Sequence, residues 1–80
     1  MDARGYSAKI VKANQEASID NPGVLLGRYC ISNDVSVYDV SDFFKVSRMT
    51  IYKWFTGKAI PQNRHLEKIK ATLEKLRYSV

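Results

Sequence analysis

One cysteine, Cys30, and one histidine, His65, stand in an 80-residue chain. A lone cysteine allows no disulfide within the chain and no thiolate-rich metal site. His65 has no second histidine or cysteine at ligand spacing, so a helix-surface histidine is expected there and metal ligation is not. The four glycines (Gly5, Gly23, Gly27, Gly57) are scattered, which excludes a glycine-rich phosphate loop. Long apolar runs are missing, and residues 1–20 contain no apolar block of signal-peptide length. Neither a membrane span nor export is expected, and a cytoplasmic location is. Cys30, between Tyr29 and Ile31, reads as a small buried hydrophobe. Asp39 and Asp42, three apart, read as water-facing carboxylates of a short helix. Without an orienting carboxylate beside a Cys–His pair, no catalytic residue is expected, and no cofactor. An enzyme is not expected.

Apolar residues make up 45% of the chain and charged residues 26%, which is ordinary for a folded protein. At this length one modest core is expected. The most informative stretch is 37–56, VYDVSDFFKVSRMTIYKWFT. Its buried-type residues Val40, Phe44, Val46, Ile51 and Trp54 are separated by four, two, five and three positions. A gap of four keeps Val40 and Phe44 on one helical face. The gap of two does not fit that face, so a turn is expected near Lys45 and Val46. The gap of three then puts Ile51 and Trp54 on one face of a second helix. Two short helices sharing a core across a tight turn form a helix-turn-helix, whose second helix can enter a DNA major groove. Its outward residues Ser47, Arg48, Met49, Tyr52, Lys53 and Thr56 include no acid.

Charge changes sign along the chain. Residues 1–44 carry four basic and six acidic side chains, a net of −2. Residues 45–64 carry Lys45, Arg48, Lys53, Lys58 and Arg64 with no acid, and residues 65–80 add a further +2. The positive charge starts where the second helix starts, as a polyanion-binding surface requires.

The remaining pattern is helical, with no convincing strand, repeat or linker. Tyr6, Ile10, Ala13 and Ala17 recur at helical spacing, so residues 6–17 read as an added helix or an ordered arm. Asn21-Pro22 opens a helix with the stripe Leu25, Leu26, Tyr29 and Cys30, ending near Asn33-Asp34. Ser36, with Asp39 three residues on, resembles a capping box for a helix to about Phe44. Ser47 caps the next helix and Gly57 ends it. After Pro61, Leu66, Ile69, Leu73 and Leu76 line one side of a last helix. The expected organisation is an arm or extra helix at 1–20 and a DNA-binding domain at 21–80. The expected fold class is all-α, a compact bundle of four to five helices.

Residues 22–73 resemble the phage repressor and Cro type of helix-turn-helix domain (XRE-like, with a lambda-repressor-like fold). The likeness rests on VSRMTIYKWFTGKAIPQNRHLEKI, with Val46-Ser47 opening the reading helix, Ile51 and Trp54 anchoring it, and Gly57-Lys58 followed by Pro61. Ser41 fills the small-residue position where the two helices cross. Three positions depart from the pattern. Lys45 stands where the family has a turn glycine, and a positive φ there costs about 1 kcal/mol, so either a slightly different turn or a tolerated strain is expected. Val37 replaces a glutamine that contacts phosphate or base. Phe55 replaces a glutamate paired to a basic residue, which implies extra packing or a partner contact. Excisionase-type domains share the phrase at 47–54.

The resemblance and the chemistry together give each residue a role. Ser47 and the free amides around it can bind a phosphate. Arg48 can bond guanine O6 and N7 together. Met49 either meets a thymine methyl or covers the core edge. Lys53 reads guanine or touches phosphate, and Tyr52 is expected to bond a phosphate through its hydroxyl. Thr56 and Lys58 are expected clamps on the opposite backbone, with Arg64 a further phosphate contact. The expected partner is double-stranded, operator-like and pseudo-palindromic DNA, bound by a homodimer, with no membrane or small-molecule substrate. Interface candidates are Tyr6, Ile10, Leu76, Tyr78 and Val80. The leading expectation is a small transcriptional repressor of phage type in a bacterial or phage-infected cell. The alternatives are a DNA-binding part in excision, packaging or an antitoxin, and an interaction module that has lost DNA binding.

Overall fold

Serine and asparagine side chains start four of the five helices in the computed structural model, which describes residues 5–76. Ser7 Oγ accepts from the Ile10 N–H at 3.2 Å and opens α1 (Ala8–Glu16). Asn21 accepts from Gly23 N–H at 3.0 Å and opens α2 (Pro22–Ser32), with proline in the first turn. Ser36 accepts from the Tyr38 and Asp39 amides at 2.9 and 3.4 Å and opens α3 (Val37–Phe44). Ser47 accepts from Thr50 N–H at 3.1 Å and opens α4 (Arg48–Phe55). Each bond satisfies an amide that has no partner within its helix. Only α5 (Asn63–Lys75) begins without a side-chain cap, after Gln62. Gly57, at φ 77°, follows the end of α4 as its sequence position predicts. All regular structure among the described residues is helical.

α2 lies at the centre, packed on α1, α4 and α5, while α4 also meets α1 and α3. The core joins Leu26 and Cys30 of α2, Val37, Val40 and Phe44 of α3, Ile51, Trp54 and Phe55 of α4, and Ile69 and Leu73 of α5. Phe44 and Trp54 meet edge to face at 5.8 Å, so the shared core expected across the α3–α4 turn is present. Val46 is only half-buried and packs against that core. Cys30 is buried, and desolvation pushes its thiol up to about 12.

Two readings of the first segment need correcting. Its helix starts at Ala8 and not at Tyr6, because Gly5 turns the chain at φ 87° and Ser7 caps after it. Tyr6 is 3% exposed and its hydroxyl donates to the Val35 carbonyl at 2.8 Å, so it belongs to the chain's own core and is not free for an interface. Ile10 also packs against the core. Leu76, by contrast, is 42% exposed. Tyr78 and Val80 lie outside the described residues.

α1 is held by polar as well as apolar contacts. Asn14 is buried, and its Nδ2 donates to the carbonyls of Val24 and Phe55 at 3.0 and 2.7 Å. Phe55 is in the last turn of α4, where carbonyls have no partner within the helix, so Asn14 supplies a donor that the helix itself cannot. Arg28 Nη2 donates to the Asn14 and Gln15 carbonyls at 2.8 and 3.2 Å, closing the end of α1 against α2. Phe55 is fully buried, with the Tyr6 ring 5.9 Å away. The departure noted at Phe55 is therefore packing under α1.

Candidate nucleic-acid interface

The α3–α4 turn sets the pose of α4. Lys45 adopts φ 59° and ψ 43°, a left-handed conformation, so of the two outcomes expected there the turn tolerates the strain. Its N–H donates to the Asp42 carbonyl at 3.3 Å and the Val46 N–H donates to the Ser41 carbonyl at 3.0 Å. These bonds close the end of α3 and redirect the chain into α4 within a few residues. Ile51, Trp54 and Phe55 then point inward and are almost completely buried. Their phase along the helix leaves Arg48, Met49 and Lys53 facing out, all exposed.

Each residue singled out from the sequence has a definite setting. Ser47 is exposed, but its Oγ caps Thr50 and lies 3.0 Å from the Thr50 hydroxyl. Arg48 places its guanidinium carbon 4.9 Å from the centre of the Tyr38 ring. Met49 is 62% exposed, so most of its side chain lies outside the core. Ser47, Arg48, Met49 and Tyr52 line one shallow depression of about 310 Å³. Lys53 and Lys58 are exposed, and the Lys58 N–H donates to the Lys53 carbonyl at 2.9 Å, folding the loop back on α4. Arg64 is exposed in the first turn of α5, where it lines a pocket of about 300 Å³ with Phe44, Lys45, His65 and Lys68. The turn lysine and the start of α5 thus form a second basic patch at the α3–α4 turn.

The hydroxyl groups of Tyr52 and Thr56 do not have the freedom their roles assumed. Tyr52 is half-buried and its hydroxyl donates to the Gly5 carbonyl at 2.6 Å. Thr56 Oγ1 donates to the Tyr52 carbonyl at 2.7 Å, within its own helix. Each hydroxyl has one proton, so neither is a free phosphate donor. Val37, which lacks the polar function of a glutamine, is fully buried at the start of α3.

Protein-family models, curated proteins and solved structures give no match to this chain. Its chemistry has to be read from its own residues. Two residues that the sequence did not single out enter the site. Tyr38 is 49% exposed beside Arg48. Lys68 reaches from α5 to the end of α3, donating to the Phe43 carbonyl at 2.7 Å with its ammonium 4.2 Å from the Phe43 ring. Periodicity could have placed Tyr38 on the outer face of α3, but the Arg48 contact depends on the turn geometry. Among the described residues no helix is long and apolar enough to cross a membrane.

Proposed function

We propose that α3 and α4 are a helix-turn-helix, that α4 is its reading helix, and that the chain is a sequence-specific double-stranded DNA-binding domain of the phage repressor and Cro type, serving as a small transcriptional regulator. One observation carries this reading: the outward face of α4 presents Arg48, Met49 and Lys53 together, with no acid on the helix. The inward face is fixed by Ile51, Trp54 and Phe55, so these side chains are displayed on a rigid support.

The roles follow from the donor chemistry. The Arg48 fork bonds guanine O6 and N7, and the thioether of Met49 lies against a thymine methyl. Lys53, one turn along, reads guanine or neutralises phosphate. Ser47 contributes through the amides it frames, since its own oxygen is engaged as the cap. Lys58, Arg64 and Lys45 meet the backbone on either side, and Tyr52 and Thr56 hold the helix in place.

Binding to duplex DNA is expected to fall with salt at a log–log slope of about −0.9 per phosphate contacted. On sequences selected from random duplexes, Arg48→Ala is expected to cost about 1–3 kcal/mol and to relax preference at one base pair. Lys58→Ala is expected to weaken all sequences alike. A slope near zero would remove the DNA-binding reading, and identical library profiles for the two variants would remove the division between reader and clamp.

A further inference from the structure

Tyr38 lies on α3, outside the helix proposed to read DNA, yet its ring is the surface on which Arg48 rests. The guanidinium carbon stands 4.9 Å from the ring centre. Among the described residues no hydrogen bond or ion pair holds that guanidinium. A cation held over an aromatic face uses none of its N–H donors for that contact, so the whole fork stays available. An unsupported arginine would sample many rotamers, and each base contact would have to order it anew.

The ring itself is seated from below. Tyr38 is the second residue of α3, its N–H held by Ser36 Oγ at 2.9 Å and its carbonyl accepting from Ser41 Oγ at 3.0 Å. Gly5 lies against it. A Cβ on Gly5 would fall 3.4 Å from the Tyr38 Cε2 and 3.4 Å from the Tyr52 hydroxyl, and would collide with Val37. The left-handed Gly5 backbone therefore fits under both tyrosines, with Tyr52 bonded to its carbonyl and Tyr38 resting beside it.

We propose that Tyr38 is a positioning residue that sets base discrimination: its ring, seated on Gly5, pre-aims the Arg48 guanidinium at the base it reads. This rests on the reading of α4 given above. The role belongs to the ring face and not to the hydroxyl, so Tyr38→Phe keeps it and Tyr38→Ala loses it.

The test compares the full chain and its Tyr38→Ala, Tyr38→Phe, Arg48→Ala and Tyr38→Ala/Arg48→Ala variants on a randomised duplex library. Arg48→Ala flattens the preference at one base pair. Tyr38→Ala is expected to reduce discrimination at that same pair by about two- to fivefold, the range of an exposed cation–π contact, with the salt slope unchanged. Tyr38→Phe is expected to match the original chain, and the double variant to match Arg48→Ala alone, because the two residues act as a unit. A wild-type profile for Tyr38→Ala, or an additive loss in the double variant, would overturn the positioning role. Failure of Tyr38→Phe that weakens all sequences alike, with discrimination at the Arg48 pair kept, would overturn it in favour of a phosphate contact through the hydroxyl. No sequence preference in the original chain would bring down the DNA-reading proposal as well, a result distinct from a profile that responds to Arg48 and ignores Tyr38. Tyr38 is 49% exposed, so its variants are expected to fold. If thermal melting shows that Tyr38→Ala does not, Tyr38→Leu, apolar but without a ring face, takes its place against Tyr38→Phe with the same outcomes.

Discussion

Lys45 takes up φ 59° and ψ 43°, where a side chain with a Cβ crowds its own backbone. The turn demands it, because the Val46 amide reaches back to the Ser41 carbonyl only with a left-handed residue between. Replacing Lys45 with glycine relieves about 1–2 kcal/mol of this crowding, and the freer unfolded chain offsets about 0.4–1 kcal/mol of it. Lys45→Gly is thus expected to stabilise the fold by a net of about 0.5–1 kcal/mol in denaturant unfolding while weakening DNA binding through the lost cation. Unchanged or lower stability would show that the turn holds lysine without strain. This position was legible in the sequence, as were Arg48, Met49 and Lys53, because Ile51 and Trp54 set the phase of their helix. Tyr52 was not. Its hydroxyl partner is Gly5, 47 residues earlier, and no local spacing reports that pairing.

At the scale of the elements, α2 to α4 were readable because their limits are written in local chemistry: Asn21-Pro22, Ser36, Ser47 and Gly57 act where they stand. α1 was readable only as a helix or an ordered arm, and not in its task. Asn14 looks like a solvent-facing residue in the sequence, yet it bridges α2 and α4 from a buried position. Gly27 looks like a weak point in α2, yet a Cβ there would lie 2.6 Å from Phe55 Cγ and 2.8 Å from Asn14 Nδ2. The missing side chain is what lets α1 and α4 close on α2. Gly27→Ala is a gain in helix propensity by about 1 kcal/mol, so propensity alone forecasts stabilisation. The packing forecasts the opposite, since forcing a methyl into a filled contact costs about 1–3 kcal/mol and also disturbs both Asn14 bonds. Gly27→Ala is therefore expected to lower the denaturation midpoint; a raised midpoint would mean that α1 is loosely docked and that Phe55 can move aside.

At the scale of the whole molecule, the described residues measure 30 × 25 × 22 Å, and α4 has eight residues. At about 1.5 Å per residue such a helix runs about 12 Å along a groove and meets only a few base pairs. That contact gives too small a preference against a genome of competing sites. Two copies related by a twofold axis solve the problem, with half-sites about 34 Å apart on one face of the duplex. A body of 30 Å fits that spacing with its neighbour close enough to touch. Among the described residues Leu76, exposed at the end of α5, borders an apolar groove of about 300 Å³ with Tyr29, Val35 and Phe43. Leu76 is left exposed, whereas Tyr6 is used within the fold. The chain is expected to bind a pseudo-palindromic site as a homodimer. Sedimentation at saturation is expected to give two chains per duplex, and Leu76→Glu is expected to weaken pairing on the full site while leaving single half-site binding and the melting temperature nearly unchanged. One chain per duplex with an asymmetric footprint would rule out the dimer, and a Leu76→Glu variant that still pairs normally would move the interface to another face.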